Sequence, residues 1–139
     1  MNGDALPATL HAIYRNAALS FLQYVRQISP YTADADKPLL ARVRELATVE
    51  LAEVEALAAF MDQARITVPH TGAFPSVFSN YNFVAVRKLL PLLVQDQQRG
   101  LAQLEADAQT LPAGPAATLV QQLVHTKRQH LTELEKLAA

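Results

Sequence analysis

Apolar residues recur in alternating steps of three and four along four stretches of this chain, and clusters of helix-breaking residues separate them. That period gives each stretch one apolar stripe on an amphipathic helix, and four such stripes must be buried against one another. The spacing predicts a first helix from about Leu6 to Ile28, stopped by "SPYTADADKP". A second starts near Pro38, whose fixed φ suits a first helical turn, and runs to about Arg65. The stretch "ITVPHTGAFPSVFSNYNF" keeps no period and is rich in breakers, so about 66–82 reads as a connection. A third helix is expected from about Phe83 to Thr110. Within it, Pro91 predicts a short helix to Leu89 followed by a kink or a restart, because a proline ring clashes with the preceding turn. "PAGP" then separates a fourth helix, from about Ala116 to Leu137.

Short links within each helical pair favour antiparallel neighbours, while a long connection between the pairs is what a bundle with a crossover uses. The expectation is an all-α four-helix bundle, one domain over residues 1–139, with the crossover between its second and third helices. Its aromatics, Phe74, Phe78, Tyr81 and Phe83, are expected to pack onto the bundle. Composition agrees: half of the residues are hydrophobic, with only 4 glycines and 9 aromatics in Phe and Tyr together. The formal charge of −1, with both signs interspersed, offers no basic stripe for nucleic acid. No apolar run is long enough to span a bilayer, so no membrane partner is expected. The opening "MNGDALPATL" lacks the charged and apolar regions of a signal peptide, which makes a cytoplasmic location the expectation. Lacking cysteine, the chain has no disulfide, thiolate ligand or thiol nucleophile.

The centres of the stripes are polar. At about 100° per residue, Val120, Leu123, Leu131 and Leu134 all lie within about 40° of Lys127, with His130 on the flank. Val43, Leu46, Val54, Leu57 and Met61 surround Glu50 in the same way, with Glu53 flanking. Leu90, Leu93, Leu101 and Leu104 surround Gln97, and in the first helix the central residue is Ala17. One isolated charge in a core costs several kcal/mol, whereas opposite charges buried together with hydrogen-bonding partners are tolerated. The pattern therefore predicts a buried Glu50–Lys127 ion pair with Gln97, Glu53 and His130 around it. The alternative for each residue is that its head group snorkels to the surface. His11, His70 and His125 read as surface or loop residues. So do Glu45, Glu55, Glu105, Glu133 and Glu135, which fall away from the stripes.

These segments resemble the ferritin-like superfamily, most closely its bacterioferritin and rubrerythrin-type branch. The likeness covers nearly the whole chain. "AALSFLQY" is similar to the first-helix motif, with Ala17 in the place of its Glu. "ELAEVEAL" resembles the second-helix Glu-x-x-His segment, keeping Glu50 and carrying Glu53 in the place of the His. Gln97 takes the third-helix Glu position, and "KRQHLTELEKL" resembles the last motif, with Lys127 for Glu and His130 retained. The resemblance implies a di-iron site and oxygen or iron chemistry. The departures remove three carboxylates and one histidine and bring a cation to a place where hard metal ions need anionic oxygen. No cofactor is expected.

A non-catalytic binding or structural protein is thus the leading expectation, with Ala17, Glu50, Glu53, Gln97, Lys127 and His130 as a degenerate metal site. A homodimer is its expected partner, on the apolar surface of Leu19, Leu22, Leu51 and Ala58, unless the crossover segment covers these residues. No motif names a small-molecule ligand. The alternative is an enzyme: Glu50, Glu53 and His130 around one zinc-type ion, or Glu53 and His130 in acid–base work beside Lys127. Ala17 and Gly100, both small and near mid-length, either leave a cavity or let helices approach closely.

Overall fold

The computed structural model describes residues 5–139, and the described residues are helical with no strand among them. Five α-helices follow one another: α1 (Ala5–Ala18), α2 (Phe21–Gln27), α3 (Lys37–Gln63), α4 (Val86–Gln109) and α5 (Pro115–Ala138). Two 3-10 turns, Asp34–Asp36 and Ser76–Tyr81, lie in the connections.

The first predicted helix is in fact two. The Ser20 hydroxyl caps α2 by accepting from the Gln23 amide at 3.2 Å, and the Asp96 carboxylate of α4 accepts from the Phe21 amide at 2.9 Å. These side chains satisfy amide groups that the head of a helix leaves without intrahelical partners, so the break is stable. Restarting the helix at Phe21 resets its angular phase. Leu22, expected on the surface, is buried as a result, and Gln23 turns inward to donate to the Ala47 carbonyl at 2.7 Å.

The short helix ending at Leu89 and the restart expected after it are corrected in the other direction. The helix runs unbroken from Val86 to Gln109 with Pro91 inside it, and starts three residues later than expected. Pro91 is exposed, while Leu89, Leu90 and Leu93 beside it are buried, and packing of that face offsets the one backbone bond the ring removes. Val86 is anchored by donating its amide to the Tyr31 carbonyl at 3.1 Å.

The core has two apolar clusters. One gathers Leu10, Ile13 and Ala17 with Val54, Leu57, Leu101, Leu104, Val120 and Leu123. The other gathers Phe21, Leu22 and Val25 with Val43, Leu46, Leu89, Leu93 and Leu134. The chain passes from the first cluster to the second along α1 and α2, back along α3, again from second to first along α4, and back along α5. Helices α3 and α4 therefore run the same way, and residues 64–85 must return between them. Part of that return is fixed by an aromatic cluster. Phe78 and Tyr81, one 3-10 turn apart, meet Phe21 at centroid distances of 4.9 and 5.6 Å, and Phe74 meets Tyr24 at 5.2 Å. Phe83 does not join them: two residues beyond Tyr81 it faces away and is 89% exposed.

Candidate functional site

Between the two apolar clusters lies a polar layer. On α3, Leu46 belongs to one cluster and Val54 to the other, and Glu50 lies between them. Gln97 takes the same place between Leu93 and Leu101, and Lys127 and His130 take it between Leu123 and Leu134. Each residue is central because the helical period that carries its neighbours inward carries it inward too. Glu50 is 1% exposed, Gln97 2%, Lys127 4% and His130 7%.

The other three converge on the Glu50 carboxylate. Lys127 Nζ donates to Oε1 at 2.6 Å. Gln97 Nε2 at 2.9 Å and His130 Nδ1 at 2.7 Å share Oε2. Gln97 Nε2 is also 3.2 Å from the Lys127 carbonyl oxygen, tying α4 to α5 at this level. Burial is the largest single influence on Glu50 and pushes its pKa up. The charge of Lys127, with hydrogen bonds from His130, Lys127 and Gln97, outweighs burial and holds the pKa at about 2. Ionised Glu50 offers only acceptors, so the hydrogen of the third bond must sit on His130 Nδ1.

Glu53 stands apart. Its Oε1 accepts from Thr126 Oγ1 at 2.6 Å and lies 3.4 Å from Gln122 Nε2, while its buried Oε2 has no partner. Glu50, Glu53 and His130 consequently do not converge, and no group of three or more His, Asp or Glu side chains among the described residues is arranged to hold a metal ion. Ala17 is buried on α1 and supplies no ligand atom. The di-iron chemistry implied by the resemblance does not fit these residues. Both Glu50 oxygens are taken by N–H donors, Gln97 presents its amide nitrogen, and an ammonium lies 2.6 Å from the carboxylate that would bind metal.

Thr126 and Asp96 carry roles that the stripe pattern did not single out. Thr126 precedes Lys127 and faces Glu53, and its hydroxyl beside an inward lysine was the available signal. Asp96 is bound to an amide 75 positions away, and nothing local marks it. His70 and His125 are exposed, whereas His11 is half-buried with an unpartnered Nε2. Glu105 and Glu133 are half-buried, bonded to Arg128 and Arg42 respectively, and Glu45, Glu55 and Glu135 are exposed. Compared with protein-family models, with curated proteins and with solved structures, the chain matches none.

Proposed function

We propose that this chain is a ferritin-like four-helix bundle, with α1 and α2 together as its first helix and residues 64–85 as its crossover, that has given up the di-iron centre. In this reading it is a non-catalytic binding or structural protein. The shared direction of α3 and α4 and the return of the chain between them support the bundle. The observation that carries the function is the buried 2.6 Å contact between Lys127 and Glu50. A cation bonded to the one retained carboxylate supplies locally the positive charge that metal would supply, and it opposes metal electrostatically. The remaining Glu50 oxygen is filled by Gln97 and His130, so the carboxylate is fully committed inside the protein.

Elemental analysis after purification without chelator, repeated after incubation with ferrous iron, tests this reading. The expected result is less than one tenth of an iron or manganese per chain. Two per chain would overturn it, and one tightly held zinc would favour a single-metal enzyme instead.

The homodimer is a narrower proposal. Leu22 has joined the core, leaving Leu19, Leu51 and Ala58 half-buried, with Val49 exposed on α3. Sedimentation equilibrium at working concentrations decides it: a dimer mass is expected, and a strict monomer would remove the proposal.

A further inference from the structure

A cavity of about 500 Å³ lies against α1, α4 and α5, with Gln97 and Lys127 in its wall. Small residues and the break between α1 and α2 help to make it. Ala17 presents only a methyl group, Leu19 and Ser20 at the helix break form part of the wall, and Gly100 leaves room that a Cβ would enter without meeting an atom within 4 Å. Such a volume is within the range of small-molecule sites. Ile13, Leu104 and Phe78 give the cavity an apolar side.

The polar groups in this wall are unequally committed. Of the two carboxylates, Asp96 accepts from the Phe21 amide at 2.9 Å and lies 3.5 Å from Arg99, and Asp107 accepts from Gln103 at 3.0 Å. Glu50 does not line the cavity. The cations are less occupied. Lys127 donates one of its three ammonium hydrogens, to Glu50, and exposed Arg15 has no ion-pair partner among the described residues. What this wall has left to offer an anion is the donor capacity of Lys127, whose charge Glu50 balances, and the charge of Arg15, set against that of Asp107, next to an apolar surface.

We infer that the cavity binds a small amphipathic monocarboxylate, with its carboxylate against Lys127 and its apolar body along Ile13, Leu104 and Phe78. Arg15 at the rim adds attraction for the anion and favours entry head first. The inference rests on the reading above, in which Lys127 is a charged partner of Glu50 and no metal occupies the layer. It gives that layer a purpose beyond structure: Glu50 holds and aims Lys127, and the remaining hydrogens of Lys127 recognise the ligand.

Calorimetric titration with octanoate, and with 1-octanol as its neutral counterpart, tests the inference at low ionic strength. The wild-type chain is expected to bind one octanoate at least tenfold more tightly than octanol. Gly100→Leu fills the cavity while replacing glycine by a better helix former, so it is expected to fold and to lose octanoate binding at least tenfold. Glu50→Gln with Lys127→Met removes both charges together and is expected to weaken octanoate tenfold, with little effect on octanol. No octanoate binding, equal affinity for octanol, unchanged binding by Gly100→Leu, or unchanged binding by the double variant would each overturn the inference. Metal content of the same preparation separates two failures. Metal-free protein that ignores octanoate sinks the ligand inference alone, whereas two irons per chain sink the reading beneath it.

Discussion

Replacing Lys127 by methionine keeps an unbranched side chain of similar length and removes the cation bonded to Glu50 Oε1. The carboxylate, 1% exposed, is then left in the core with only Gln97 and His130 as donors. Breaking a buried pair by removing one partner costs about 3–5 kcal/mol. The pKa of Glu50 gives an independent scale: moving it from 4.5 to about 2 corresponds to about 3 kcal/mol of stabilisation at neutral pH, of which Lys127 supplies the largest favourable share. Urea unfolding at pH 7, followed by circular dichroism, measures the loss as a fall in the midpoint at unchanged slope. Adding Glu50→Gln removes the stranded charge and is expected to restore more than half of the lost stability, since paired removal of a buried ion pair is often close to neutral. A loss below about 1 kcal/mol for Lys127→Met, the range of a surface pair, would refute the argument. So would a double variant no more stable than the single one.

Glu50 also sets a pH dependence: its folded pKa is depressed, so its contribution is complete above pH 4.5 and is lost as pH falls from 4.5 toward 2. Acid titration of stability is expected to be steeper in that window for the wild type than for Glu50→Gln with Lys127→Met. Gly100→Ala is expected to stabilise the chain by about 0.5–1 kcal/mol in thermal unfolding, because alanine is the better helix former and its Cβ meets no atom within 4 Å. Asp96→Ala removes the acceptor for the Phe21 amide and is expected to cost about 1–2 kcal/mol, with faster hydrogen exchange at Phe21.

The inward placement of Glu50, Gln97 and Lys127 was legible in the sequence because it needs only the helical period. A residue with leucine or valine four and seven positions away on both sides shares their direction. The same rule failed at the first helix, where a long periodic run concealed a restart. Ser20, three residues before Gln23, matches a capping-box pattern and was the local sign of the break. Its other support, Asp96, comes from α4 and has no local signal. At Pro91 the opposite happened to the expected stop at Leu89: the local cost of a helical proline is real, but α4 runs on through it with three buried leucines alongside. Phe83 shows the same limit of composition, since an aromatic residue joins the cluster on α2 only if the turn points it there. The stripes pointed to the Glu50–Lys127 pair but gave no sign that Glu53 turns to Thr126 instead of joining it.

The state of the Glu50 carboxyl group can be observed directly by following its side-chain carbon resonance in a carbon-13 pH titration of the folded protein. An ionised carboxylate held by Lys127 is expected to keep its resonance unchanged from pH 7 down to about pH 3, with the change centred near pH 2. A midpoint at or above the ordinary 4.5 would contradict it.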